Sequence, residues 1–272
     1  MAKHADKYTW HKGERPPPIE PHSQAKHQVL SQYIRAYIRV LMANVNIERL
    51  TYSVVDGFAG GGEYSASDGS ICAGSPLICI NAARDVEIEL NAVRRKPRSV
   101  DTRFYFVEKN TSTFDYLKAS LDVQGELHRN DIVLRNGDFA QVADQIINGI
   151  KARRGGERAL FILDQYAYDD VPMRLLRQIF GNVEKAEVLL TFNVDSMITF
   201  LSNNPSHKII LEKLGLAKHI DWSLLSEVGN SRTPNWRAVI QRMLARGIIE
   251  ESGARFGTIF FIRPLGATPW SY

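Results

Sequence analysis

The sequence predicts an α/β fold, doubly wound around a mostly parallel sheet of the Rossmann-like type. Three observations predict it. Strand-like and helix-like stretches alternate five times between Thr51 and Phe192, the rhythm of repeated βαβ units. Residues 159–163, Ala-Leu-Phe-Ile-Leu, form a continuous apolar run, as a central parallel strand covered on both faces requires. The first strand ends at Asp56 and breaks into Gly60-Gly61-Gly62, a turn that lets backbone approach a ligand closely.

Taken in order, residues 1–25 carry Pro16-Pro17-Pro18, Pro21 and scattered Lys and His, and read as an extended arm. From Lys26 the pattern Val29, Leu30, Tyr33, Ile34, Tyr37, Ile38, Leu41 has helical periodicity, so a helix is expected over about 24–44. Thr51 to Asp56 is the first strand, and 63–71 is a polar loop. Ser75 with Pro76 after it marks a helix start, Ser75 as the cap. Further strands are expected at 102–107, 131–134, 159–163 and 187–192, with helices near 111–121 (capped by Thr111 or Ser112), 142–152 and 172–180. Beyond Asp195 the rhythm is lost. Short helices near 197–201 and 208–214, a helix at 236–246, and strands at Ile248-Ile249 and 258–262 suit either a winged-helix appendage or, better, a terminal sheet hairpin. The domain reading is therefore an arm at 1–25, a core at 26–196 and a helical and hairpin region at 197–272. The ending Trp270-Ser271-Tyr272 reads as strand-like, so a longer native chain is expected.

Composition narrows the partners. The chain has 272 residues, 44% of them hydrophobic, which supports a sizeable core and excludes wholesale disorder. Net charge is +4 and the pI about 9.0, compatible with RNA or DNA as a partner and equally with an ordinary enzyme. Basic clusters at Arg94-Arg95-Lys96-Arg98 and Lys151-Arg153-Arg154-Arg158 could track phosphates. Only Cys72 and Cys79 occur, with no His nearby, so neither a disulfide framework nor a metal site is expected. No transmembrane-length apolar run or secretory signal is visible, and a cytoplasmic protein is expected.

Four acids stand at the carboxyl ends of four successive expected strands: Asp56, Glu108, Asp138 and Asp164. In a parallel sheet those ends share one edge, so the side chains converge on one crevice. The stretch Asp56-Gly57-Phe58-Ala59-Gly60-Gly61-Gly62 resembles the Asp-x-Phe-Ala-Gly-x-Gly pattern of nucleic-acid methyltransferases that use S-adenosylmethionine. Such a cofactor gives each acid a task. Glu108 would accept the ribose hydroxyls, Asp138 the adenine amino group with Phe139 packing on the ring, and Asp56 with the glycine turn would hold the methionine end. The spacing from Asp56 to Glu108 is long for a compact nucleotide unit; loop 63–74 accounts for part of it and is expected to cover the cofactor.

The order Lys26-His27, Val55-Asp56-Gly57-Phe58-Ala59-Gly60, Gly74-Ser75-Pro76-Leu77, Phe106-Val107-Glu108, Gly137-Asp138-Phe139 and Phe161-Ile162-Leu163-Asp164 resembles the three-Cys-motif partner proteins. These are phage- and defence-associated proteins with a methyltransferase-like core, and the likeness runs over nearly the whole chain from Lys26. The same short motifs are similar to ribosomal-RNA adenine-N6 methyltransferases. The resemblance implies a fold of the S-adenosylmethionine methyltransferase type, Lys26 and His27 over the cofactor, Phe58, Gly60, Gly62 and Ser75 in the same pocket, and Asp164 at the head of the catalytic motif. There the chain departs from the family. Adenine-N6 enzymes carry Asp/Asn-Pro-Pro-Tyr/Phe and the partner family Asp-Pro-Phe-Gly, but this chain reads Asp164-Gln165-Tyr166-Ala167. Asp164 and the Gln165 carbonyl can still accept from a target amine, and Tyr166 or Tyr168 can stack on a base. Replacing Gln165 by Pro is expected to restore a rigid turn.

The leading expectation is an S-adenosylmethionine-dependent methyltransferase acting on nucleic acid, at an exocyclic amine such as adenine N6. A second is a catalytically silent partner subunit that keeps the cofactor pocket and works with a protein encoded nearby. A nucleotide-binding oxidoreductase is disfavoured by the glycine spacing and by Asp138, which a dinucleotide site does not need.

Overall fold

The structure is a computed structural model that describes residues 8–93, 96–165, 170–192, 205–223 and 236–260. The chain forms two compact units, one of Met1–Leu163 with Ala186–Leu189, the other of Asp164–Lys185 with Leu190–Tyr272.

The first unit is built on a sheet. Its elements are α1 (Pro21–Leu41), β1 (Arg49–Asp56), β2 (Glu63–Ser65), β3 (Ile71–Ala73), α2 (Ser75–Ala92), β4 (Ser99–Glu108), α3 (Thr111–Val123), β5 (Ile132–Asn136), α4 (Phe139–Lys151), β6 (Arg158–Leu163) and β7 (Lys185–Leu190). The five long strands run in the order β5-β4-β1-β6-β7, and β1 pairs in parallel with β4 on one side and β6 on the other. This is the 3-2-1-4-5 order of Rossmann-like sheets, and the order reverses between β1 and β6.

Alternation along each strand sorts residues to the two faces. Leu50, Tyr52 and Val54 of β1, Phe104 and Phe106 of β4, and Leu160 and Ile162 of β6 join Ile34 and Ile38 of α1, Ile80 and Val86 of α2, and Leu117 and Leu121 of α3 in one cluster. The opposite face carries α4, whose Gly149 lies against the Tyr105 hydroxyl. With helices on both faces, the central strands are sealed: Tyr52, Phe106 and Phe161 are fully buried, each contributing on the order of 2 kcal/mol.

Several boundaries differ from the sequence reading for local reasons. Helix α1 begins at Pro21, since proline suits a first helical turn. Gly74, not Ser75, is the N-cap of α2; its N–H donates to the Gly62 carbonyl at 2.7 Å, and a Cβ there would lie 2.9 Å from Gly62 backbone. Asn110, not Thr111 or Ser112, caps α3 by accepting from the Thr113 N–H at 3.0 Å. The expected polar loop after the glycine turn holds the antiparallel hairpin β2–β3. Residues 8–20, part of the expected extended arm, are bound to it, as described below.

The basic clusters also change meaning. Arg98 is 6% exposed and donates to the carbonyls of Asn44 and Val45. Arg153 donates to the carbonyls of Tyr52 at 2.7 Å and Asp101 at 2.9 Å and pairs with the Asp101 carboxylate. Both arginines tie loops to the interior. Arg94 and Arg95 lie outside the described residues.

The second unit is helical where described: α5 (Met173–Asn182), α6 (Pro205–Leu214), a 3₁₀ turn at Ala217–His219 and α7 (Trp236–Ser252). Arg177 of α5 donates from Nε to the Glu251 carbonyl at 2.8 Å. The Glu251 carboxylate receives Lys218 at 2.7 Å and His219 at 2.9 Å, which fastens the 3₁₀ turn to α7. Ile248 and Ile249, expected as a strand, lie inside α7, whose helical run continues past the expected end at Arg246. Residues 256–260 carry no regular element. The expected helix at 197–201, Trp270 and the end of the last expected strand lie outside the described residues.

Candidate functional site

Asp56 closes β1 and is 1% exposed; its Oδ1 accepts from the Phe58 N–H at 3.1 Å. The backbone then leaves the sheet between its neighbours. The Gly57 N–H donates to the Ile162 carbonyl of β6, and the Ala59 N–H to the Val107 carbonyl of β4, both at 2.9 Å. The glycine turn is thus clamped at the point where strand order reverses, where open α/β sheets place their ligands.

Each glycine of the triplet has its own reason. Gly60 and Gly62 have φ of 60° and 83°, left-handed values that favour glycine. Gly61 is needed for space: a Cβ there would fall 2.3 Å from Trp10 Cδ1. Gly57 is also a packing glycine, lying against Leu163 and Phe139.

Three of the four expected acids meet at this edge. Glu108, at the end of β4, accepts from the Gly60 N–H at 3.0 Å with Oε2 and from the Asn110 N–H at 2.7 Å with Oε1. Each carboxylate oxygen keeps a second lone pair after such a bond. Burial pushes the Glu108 carboxyl above its ordinary range, against the backbone N–H groups of Asn110 and Gly60 that favour the charge. The Glu108 carbonyl accepts from the Gly137 N–H at 3.0 Å and from Asn136 Nδ2 at 2.8 Å, which draws the end of β5 alongside. Asp138 follows as the N-cap of α4, accepting from the Ala140 N–H at 2.9 Å and pairing with Lys109 at 3.2 Å. Phe139 is 2% exposed and turns its ring inward against Gly57 and Phe58, the centroids of the two phenylalanines 6.3 Å apart. Of the two rings Phe58 is the partly open one.

The other expected pocket residues sit around the turn. Ser75 is the first residue of α2, one residue from the Gly74–Gly62 contact. His27 and Lys26 lie half-buried on α1, and the His27 ring stands 5.6 Å from Tyr64. Tyr64 in turn meets Trp10 edge-on at 5.2 Å.

Trp10 is the residue the sequence did not reveal. It is 4% exposed, its Nε1 donates to the Glu63 carbonyl at 2.7 Å, and its carbonyl accepts from the Ser112 hydroxyl at 2.7 Å. The segment behind it is strapped to β2. The Ile19 N–H donates to the Ser65 carbonyl and the Ser65 N–H to the Pro17 carbonyl, both at 2.9 Å. The Ser65 hydroxyl donates to the Pro16 carbonyl and accepts from Arg15. A large apolar ring in an otherwise polar arm was the available signal.

The expected catalytic motif begins the second unit. Gln165 is 6% exposed; its Nε2 donates to the Thr191 carbonyl at 3.1 Å and its Oε1 accepts from the Val171 N–H at 2.9 Å. The side chain braces the loop that proline would stiffen. Asp164 is half-buried, and Tyr166 and Tyr168 lie outside the described residues. Both thiols are pushed up by burial, Cys79 strongly, so neither is poised as a nucleophile. Among the described residues no group of three or more His, Cys, Asp or Glu could hold a metal ion, and no helix is long and apolar enough to cross a membrane.

The first unit is thus a Rossmann-like α/β domain with an acid-lined glycine turn at its switch point. No protein-family model and no curated protein matches the chain. Among solved structures, the chain is similar to one described as a "putative sarcosine dimethylglycine methyltransferase" from Galdieria sulphuraria, at 11% identity and a TM-score of 0.35, over 87% of this chain and 86% of that one.

Proposed function

We propose that the first unit binds S-adenosylmethionine and that the protein is a methyltransferase-like protein. One observation carries the reading: Asp56, Glu108 and Asp138, at or just after the ends of three adjacent parallel strands, are gathered around a single glycine turn whose Gly60 N–H is bound to Glu108. This acceptor set suits an adenosine. Glu108 matches the ribose hydroxyls, Asp138 matches the adenine amino group, and Phe58 is the ring open to a base. The methionine end belongs at Asp56 and the turn, with Ser75, Lys26 and His27 around it. When bound, the cofactor supplies an electrophilic methyl group.

Asp164, Gln165 and Tyr166 are the candidates for the transfer step on the strength of the motif order. The acceptor we assign is nucleic acid, at an exocyclic amine. Arg98 and Arg153 do not count towards phosphate contacts, since both are held by carbonyls.

A second reading is favoured by Gln165: a silent partner subunit that retains the pocket and lacks the proline of adenine-N6 enzymes. Calorimetry against S-adenosylmethionine, with NAD as control, tests the cofactor. Binding of S-adenosylmethionine alone is expected, and absence of binding removes the reading. Incubation with labelled S-adenosylmethionine and mixed RNA and DNA then separates the two: transfer supports the enzyme, and binding without transfer supports the silent subunit.

A further inference from the structure

We propose that residues 8–19 form a gate on the glycine turn, with Trp10 as its wedge. The proposal rests on the cofactor reading above and concerns how that site is regulated. The geometry sets the problem. A Cβ on Gly61 would fall 2.3 Å from Trp10 Cδ1 and one on Gly60 3.4 Å from Trp10 Cη2. The indole therefore lies directly on the backbone face that Gly60 and Gly61 leave bare, the face a ligand would need.

The strap has the parts of a hinged cover. Its far end, residues 15–19, is fixed to the hairpin: Ser65 alone holds the Pro16 and Pro17 carbonyls and the Ile19 N–H. Its near end is held by the Trp10 Nε1–Glu63 bond and by Ser112, whose hydroxyl reaches the Trp10 carbonyl at 2.7 Å and His11 Nδ1 at 3.2 Å. Between them lies a tight turn, closed by the Glu14 N–H on the His11 carbonyl at 3.0 Å. It contains Gly13 at φ 86°, with open space where a Cβ would stand. Rotation at this turn lifts Trp10 while residues 15–19 stay on β2. A ligand that needs the Gly60–Gly61 face binds only the lifted form, so its apparent affinity is reduced by the fraction of molecules that are open.

The test compares full-length wild type, Trp10→Ala and Ser112→Ala in stopped-flow and equilibrium binding of S-adenosylmethionine. Ser112→Ala removes one latch without touching the glycine turn and guards against a Trp10→Ala variant that folds poorly. The gate predicts faster association and tighter binding in both, roughly five-fold for Ser112→Ala, as loss of one hydrogen bond implies, and more for Trp10→Ala. Hydrogen exchange of wild type should show ligand-induced loss of protection at Glu14 with Ile19 still protected. Equal rates and affinities in all three proteins overturn the gate and leave the cofactor reading standing. So does loss of binding in Trp10→Ala with Ser112→Ala unchanged, which would make Trp10 a wall of the site. Absence of binding in all three overturns the cofactor reading itself, and the gate with it.

Discussion

At the scale of single residues, the glycine triplet separates what a motif records from why it is there. Gly60 and Gly62 answer to backbone conformation and Gly61 to an indole from the amino-terminal segment. Gly61→Ala should therefore destabilise by about 1–3 kcal/mol through overpacking, and Trp10→Ala should relieve most of that cost. A double-mutant cycle on thermal unfolding checks it: additive losses would mean the two residues do not touch. Gln165 holds the Thr191 carbonyl and the Val171 N–H with its side-chain amide. Gln165→Pro should cost about 1–3 kcal/mol, because a buried carbonyl and N–H lose their partners. Urea unfolding measures this, and unchanged stability would return the proline argument. Glu108→Ala should weaken S-adenosylmethionine binding by about 1–3 kcal/mol and also lower stability, since the Gly60 and Asn110 N–H groups lose their acceptor. Calorimetry at the same folded fraction distinguishes the two. The positions of Asp56, Glu108 and Asp138 were legible because a carboxylate after a strand is a local pattern. Trp10 was not, because its contact with Gly61 reaches back across α1 and β1.

Among elements, the strands and main helices were legible and their ends less so. A cap is decided by one side chain meeting one N–H: Asn110 took that place rather than Thr111 or Ser112, and Asp138 starts α4 at Phe139, ahead of the expected residue 142. Hairpin β2–β3 was hidden because strands of three residues carry too little alternation to read. Ile248 and Ile249 misled for the opposite reason: β-branched residues favour strands in isolation, yet here α7 runs through them. The joint between that helix and the 3₁₀ turn yields a pH prediction. Hydrogen bonds from Lys218 and then His219 hold the Glu251 carboxyl down to about 2, from an ordinary 4.5. A carboxyl depressed by folding stabilises above its unfolded pKa, and that contribution fades as pH falls through the folded one. The joint should loosen between about pH 4.5 and 2. Hydrogen exchange at His219, whose N–H is bound to the Leu216 carbonyl, follows it. In Glu251→Gln the transition in that window should vanish; its persistence would assign it elsewhere.

For the molecule as a whole, the parallel sheet and the edge at which three acids gather followed from the alternation of strands and helices, while the use of charge did not. A count of basic residues cannot distinguish Arg98 and Arg153, turned inward onto carbonyls, from arginines open to phosphates. If nucleic acid is the acceptor, binding should still weaken steeply from low to physiological salt, with the slope of log affinity on log salt reporting the phosphates met. Filter binding at several salt concentrations measures it, and a flat response would point to a protein or small-molecule acceptor. The strap carries a further consequence, for the order in which the chain folds. Hairpin β2–β3 closes locally, but Trp10 meets Ser112 across 102 residues, and Ser112 is in place only once β4 lies along β1. Contacts so distant in sequence form late, after the loop they close has been gathered. Burial of the indole should therefore be the last slow event of refolding in this unit, and its release the first of unfolding. A kinetic phase that disappears in Trp10→Phe while sheet formation keeps its rate would mark that step.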